Sequence, residues 1–237
     1  MPIIGASNGE DAWVGWLVVA VIAVPAIFII WWQNAKAKKN LTDLAQRLGF
    51  PVTPKVRIPS LSRSLKKQVF NRGLGSPSIE LGIQGTIRGH NVRFSRFTTG
   101  SGKTQITWAE LAVSVHAHAF AFSLRREFLL GKLGGLFGFT DVKIGDEVFD
   151  QRWRIKTTHA ATLQALLLPE LRAKISNAAA SSGDFYLEND WIRYREKGSF
   201  TNPKVVARLE SMVELMCDLA EAIDVAAEKY SPPPIMS

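Results

Sequence analysis

A single cysteine, Cys217, stands in a chain of 237 residues, so no disulfide framework holds this protein, and a reducing compartment suits it. Histidine is nearly as scarce. His116 and His118 share a strand face in the stretch HAHA, but only His90 and His159 remain to complete a zinc shell, and two ligands make no site. Charge is missing altogether from Ala12 to Trp32, 21 residues reading AWVGWLVVAVIAVPAIFIIWW. As a helix this run is about 31 Å long, enough for a hydrocarbon layer of roughly 30 Å. Trp13 and Trp16 sit at one end, Trp31 and Trp32 at the other, where amphipathic rings favour the two interfaces. Pro25 would kink a soluble helix, but spanning helices tolerate proline. No Lys or Arg precedes the run and no small-residue cleavage site follows it, which argues against a secretory leader.

What the front of the run lacks, its back supplies. Lys36, Lys38 and Lys39 follow at once, and positive flanks stay on the cytoplasmic side, so the N-terminus is expected outside and the bulk of the chain inside a bacterial inner membrane. The net charge of +8 is concentrated there. Between residues 36 and 72 lie Lys36, Lys38, Lys39, Arg47, Lys55, Arg57, Arg63, Lys66, Lys67 and Arg72 against one acid, Asp43, whereas the chain from residue 73 onward is nearly neutral. That distribution argues against nucleic acid as the partner. It fits either an ordinary topology signal with a solvated linker or contact with anionic headgroups, worth about 1 kcal/mol per basic side chain near the surface. All of these bases except Arg47 are therefore candidate membrane-surface contacts.

From Ile79 onward the apolar period becomes two. IELGIQGTI, VRFSRF, ITWAELAVSV, FAFSLRRE and QRWRIKTT predict half-buried antiparallel strands, and FYLE-ND-WIRYR predicts a hairpin turning at Asn189 and Asp190. LTDLAQRLGF predicts a helix stopped by Gly49. Pro169 opens another, and the last helix begins at Asn202 and Pro203. Val205, Leu209, Met212, Met216, Leu219, Ile223, Ala226 and Tyr230 form its apolar stripe, broad enough for a sheet and also usable as an oligomer contact. The acids Glu210, Glu214, Asp218, Glu221, Asp224 and Glu228 mark its solvated face, or a docking stripe for a basic partner. The expected fold is α+β. Residues 1–11 form an external N-terminus, 12–32 a transmembrane helix, and 33–72 a basic juxtamembrane helix and linker. Residues 73–230 form a mainly antiparallel sheet domain with the long C-terminal helix packed on it, and 231–237 a disordered tail.

Chemistry is hard to find. GSGKT in FTTGSGKTQ ends like a phosphate-binding loop, but Phe97 stands where the first glycine belongs. The residues that follow alternate like a strand instead of opening a helix. A flexible hairpin loop is the better reading. Asp141, Asp146, Glu147 and Asp150 cluster as a solvated turn before a strand, although paired carboxylates can do acid/base work. Cys217 reads as a small buried residue of the last helix. No catalytic, cofactor-binding or metal-ligating residue is assigned, and no cofactor is expected. FLLGKLGGLFGF (128–139) is either a buried connection or, if exposed, a lipid or partner contact through Leu133, Leu136, Phe137 and Phe139.

The order of LAQRLGF, the β-rich stretch, DVKIGDEVFDQRWRIKT, LLLPELRAKI and the C-terminal helix resembles a group of bacterial membrane-anchored proteins. They carry a domain of unknown function with a GD-x-x-FD turn and an L-x-P-x-L-R helix start. The resemblance spans about residues 40–230 and implies an inner-membrane protein with a cytosolic α+β domain. It implies no reaction and no active-site residues. The expected function is that of a membrane-tethered, non-enzymatic binding or scaffold module with a protein partner or a second copy. The alternatives are an anionic-lipid-binding domain and a membrane-associated enzyme using the acids near Asp146 or the loop at Lys103.

Overall fold

The computed structural model describes residues 12–51, 78–100, 104–116, 120–126, 142–180 and 182–230, with the side chains of 12–20, 22, 26, 78–80 and 228–230 outside that set. Helix α1 runs unbroken over Ala12–Arg47 with Pro25 inside it. It stops where Gly49 predicts. Gly49 takes φ +69°, its amide donates to Gln46 O at 3.2 Å, and the Phe50 amide donates to Ala45 O at 2.8 Å, so two terminal carbonyls are satisfied. The two parts of α1 differ in kind. Val21, Val24, Ile27, Phe28, Ile29, Ile30, Trp31 and Trp32 are each at least 51% exposed and point all round the helix. Ala37, Leu41, Leu44 and Ala45 bury a single stripe.

Strands β1 (Ser78–Ile87), β2 (His90–Thr99), β3 (Ile106–Ser114), β4 (Phe122–Arg126), β5 (Trp153–Thr157), β6 (Asp184–Glu188) and β7 (Trp191–Lys197) form one sheet in the order β1-β2-β3-β7-β6-β4-β5. Every pairing is antiparallel. The β6–β7 turn is the expected one: Asn189 and Asp190 take φ +47° and +59°, the left-handed pair that matches strand twist. The β2–β3 connection passes through Gly100 at φ +86°, and FTTGSGKTQ lies between strand β2, which ends at Thr99, and strand β3, which begins at Ile106.

Among the described residues four further helices follow: α2 (Glu147–Arg152), α3 (Ala160–Leu166), α4 (Pro169–Ala178) and α5 (Pro203–Tyr230). Asn202 caps α5, accepting from Lys204 N at 3.0 Å. The stripe read from the sequence is the buried one: Val205, Leu209, Met212, Met216, Leu219 and Ile223 lie in the core with Phe94, Leu111, Val113 and Ile192 of the sheet. Burying each such side chain is worth roughly 1.5–3 kcal/mol, which is what joins α5 to β3 and β7.

Three features depart from the sequence reading. The acids near Asp146 do not form a plain turn. Asp146 caps α2 by accepting from Phe149 N at 3.0 Å, and one turn of helix follows. The domain core does not begin at residue 73, because the stripe Ala37–Ala45 and Phe50 of the juxtamembrane helix belong to it. The acidic face of α5 is largely engaged within the chain. Arg47 makes a two-pronged contact to Glu210, both bonds 2.8 Å. Arg88, in the β1–β2 turn, reaches Glu214, Asp218 and Glu221.

Candidate binding site on the polar sheet face

The helices settle on one face of the sheet because alternation along each strand makes that face apolar. Phe50, just beyond α1, packs tilted against Phe94 at 6.4 Å between ring centroids. Phe149 of α2 meets Trp153 at 5.9 Å, and the Trp153 indole donates to Ser176 Oγ of α4 at 3.4 Å. The alternate positions of the same strands point the other way, and they are charged. Register aligns them into rows. One row reads Arg93, Ala112, Arg193, Tyr186, Ser123, Lys156, and the next reads Ser95, Glu110, Arg195, Asp184, Arg125, Arg154. Six bases thus stand against two acids across six neighbouring strands.

Glu110 is the hub. It is 3% exposed, and its carboxylate accepts from Arg193 Nη1 at 3.1 Å, Tyr186 Oη at 2.6 Å and, more weakly, Ser95 Oγ at 3.4 Å. Burial and then the charge of Glu110 push the Tyr186 phenol up, so it stays protonated and donates. Burial opposes the charge on Arg193, but Glu110, Tyr186 and Glu188 outweigh it and hold the guanidinium above its ordinary range. Arg195 is treated alike: burial lowers it, while Tyr186, Asp184 and Glu110 more than compensate. Its guanidinium lies over both Trp108 and Tyr186 at 5.0 Å and pairs with Asp184 at 3.5 Å.

Arg93 differs from these. It is 9% exposed, its guanidinium stacks on Trp191 at 4.6 Å, and its Nε is buried with no hydrogen-bond partner. No acid pairs with it among the described residues. Burial, then repulsion from Arg193, holds it below the usual arginine range despite the pull of Glu110. A desolvated cation beside another cation costs free energy unless an anion joins it.

The residues singled out in the sequence fall elsewhere. Lys36, Lys38 and Lys39 are exposed on α1 directly after Trp32, and the Lys36 ammonium lies 5.4 Å from that ring. Lys55, Arg57, Arg63, Lys66, Lys67, Arg72, Lys103, His118, Asp141, Leu133, Leu136, Phe137 and Phe139 lie outside the described residues. His116 is bonded to Asp224 twice, backbone at 2.6 Å and Nδ1 at 3.0 Å. Among the described residues no group of three or more His, Cys, Asp or Glu side chains could hold a metal ion. The acids of α2 serve the backbone and a neighbouring helix. Asp150 accepts from Ile144 N and Gly145 N, both at 3.1 Å, and Asp146 pairs with Arg172 at 3.1 Å. That ion pair joins the GD-x-x-FD segment to the L-x-P-x-L-R segment, so both motifs serve the fold. Cys217 is buried, and burial pushes its thiol up to about 11. A groove of about 150 Å³ between α1 and α5, lined by Asp43, Arg47 and Glu210 among others, is below the usual size of a small-molecule pocket.

The signal for the polar face was present as Arg93, Ser95 in VRFSRF and as Arg193, Arg195 in WIRYR. Each is an ordinary exposed half of an alternating strand until register sets them side by side.

No protein-family model matches the chain, and no curated protein sequence does. Among solved structures, the crystal structure of the mycobacterial trehalose monomycolate transport factor A, TtfA, aligns over 76% of this chain and 96% of its own, with 12% identity and a TM-score of 0.42. Likeness of that degree assigns this chain neither a family nor a ligand.

Proposed function

We propose that this protein is a bilayer-tethered, non-enzymatic binding module: residues 12–32 cross the inner membrane with the N-terminus outside, and the α+β domain on the cytoplasmic side presents its polar sheet face for recognition. The observation that carries the reading is the change of character along α1. A helix that is apolar all round has no solvated side to offer water and needs an apolar surround, whereas one buried stripe needs only a domain. Eight large apolar side chains lie exposed around α1 up to Trp32, and the single stripe starts at Ala37. Lys36, Lys38 and Lys39 stand at the changeover, where a cytoplasmic interface would place them. Among the described residues no helix is long and apolar enough to cross a membrane; the side chains of 12–20, 22 and 26 lie outside that set, and the uncharged run is continuous through them in the sequence.

Fractionation tests this. The full chain should stay with membranes through alkaline carbonate extraction and partition into detergent, and a chain with Val21, Val24, Ile27 and Ile30 all changed to Asp should be released. Recovery of the unaltered chain in the carbonate supernatant refutes the anchor. The juxtamembrane lysines support a second reading, an anionic-lipid contact, which predicts that binding of the anchor-deficient variant to vesicles rises with anionic lipid fraction.

A further inference from the structure

We infer that the polar sheet face contains a built site for a phosphate group, seated above Ala112 between Arg93 and Arg193. The two arginines occupy one cross-strand row with Ala112 between them, so a single methyl separates their stems where the rows on either side carry Glu110 and Ser114. Their backbones are two strand spacings apart, about 9.6 Å, a distance that two long guanidinium arms can close upon a common anion. Arg193 spends one nitrogen on Glu110 at 3.1 Å and keeps its Nε buried without a partner. Arg93 makes no ion pair or hydrogen bond among the described residues and is fixed in orientation by its stack on Trp191. The result is two largely buried guanidinium groups, each with an unpartnered Nε, one held by an aromatic face and the other by a carboxylate hub.

The choice of phosphate follows from charge and valence. The carboxylates of the two rows are already engaged, Glu110 by Arg193 and Asp184 by Arg195, and neither pairs with Arg93. A phosphate brings counter-charge to Arg93, and its several terminal oxygens can accept from the open donors of two planar forks together, the geometry in which arginine binds phosphate best. Arg125, exposed in the same region of the sheet, adds positive potential at the rim. The group could come from an anionic phospholipid headgroup or from a soluble phosphate ester; the chemistry recognised is the same. This inference rests on the sheet face being the recognition surface, and it does not depend on the anchor.

The test uses the full chain in neutral phosphatidylcholine nanodiscs. Inorganic phosphate and glycerol 3-phosphate are titrated while tryptophan emission is followed, since Trp191 lies against Arg93. A parallel series replaces part of the lipid with phosphatidic acid and follows ³¹P chemical shift. Saturable binding of any of these probes that weakens at least tenfold in Arg93→Gln, partly in Arg93→Lys and not in Lys143→Gln supports the site. Response to the soluble probes identifies a phosphate ester, and response to phosphatidic acid alone identifies a headgroup. Arg93→Gln removes an uncompensated buried cation, so it is expected to fold; Trp191→Leu, which frees Arg93 from its stack, must also weaken binding and gives a second route. Binding of poly-glutamate that depends on Arg93, with no phosphate response, overturns the phosphate assignment and leaves the recognition surface standing. Binding of no probe, or binding indifferent to both variants, overturns both.

Discussion

Replacing Glu110 by Gln should destabilise the domain severely although the two side chains have nearly the same shape. Glutamine keeps an oxygen for Tyr186, whose hydroxyl lies 2.6 Å from the carboxylate, so that hydrogen bond survives in neutral form. What disappears is the counter-charge of Arg193, whose side chain is 7% exposed against 4% for Glu110. Removing one partner of a buried pair leaves the other charge desolvated, at a cost of about 3–5 kcal/mol. For a domain of this size each kcal/mol moves the midpoint by about 2–4 °C, so a fall of roughly 6–20 °C is expected. The assay is thermal unfolding of the full chain in detergent, followed by near-ultraviolet circular dichroism. The double variant Glu110→Gln/Arg193→Gln supplies the internal check, because it removes both charges and should recover part of the loss. A Glu110→Gln midpoint within about 2 °C of the parent, or a double variant as unstable as the two single losses added together, would refute the claim that this pair is a buried electrostatic hub.

Other outcomes follow from the same packing. A Cβ at Gly85 would overlap the ring of Phe50, so Gly85→Val should cost about 3 kcal/mol in urea unfolding and open the junction between α1 and β1 to proteolysis near residue 50. The hydrogen bond and then the charge of Asp224 raise the His116 pKa above 6.5, and Asp224→Asn should bring the imidazole titration back down when followed by NMR. The sign follows from linkage: this contact stabilises fully below about pH 6.5 and its contribution fades as pH climbs through the raised value, so a stability difference between parent and Asp224→Asn that grows with pH would contradict it. Cys217, with its thiol pushed up to about 11, should resist alkylation at pH 8 until the chain is unfolded, and rapid labelling of the native protein would show the α5 face to be open.

Local periodicity made the strands, the Asn189–Asp190 hairpin, the α5 stripe and the stop at Gly49 legible, because each is decided within a few residues. The six-residue helix α2 was harder. Its signal is Asp146 as cap with Phe149 as its one buried residue, too short for a period to emerge from GDEVFD. Leu41, Leu44 and Ala45 were visible as a helical stripe, but the core residues they join, Ile83 and Phe94 among them, come from strands far along the chain. The acids of α5 read as solvent-facing because nothing local hints that Arg88, 126 residues before Glu214, would reach them from a turn. The polar sheet face was illegible for the same reason in a stronger form. Arg93, Glu110 and Arg193 come from three strands, and only register reveals that they form a cluster instead of three separate surface charges.

The continuity of α1 carries one more consequence. There is no hinge between Trp32 and Leu41: the same rigid rod that emerges from the apolar stretch runs into the core, where Asn40 donates to Phe200 O at 2.6 Å and Asn34 accepts from Arg96 at 2.9 Å. At 1.5 Å per residue Asn34 lies about 3 Å along the axis from Trp32, so the domain's first contact follows the apolar stretch within one helical turn. A domain mounted in this way cannot sweep a wide volume like one on a floppy tether. In the proposed anchoring the domain's height and azimuth are inherited from the tilt of the mast, so whatever leans the mast also re-aims the charged face.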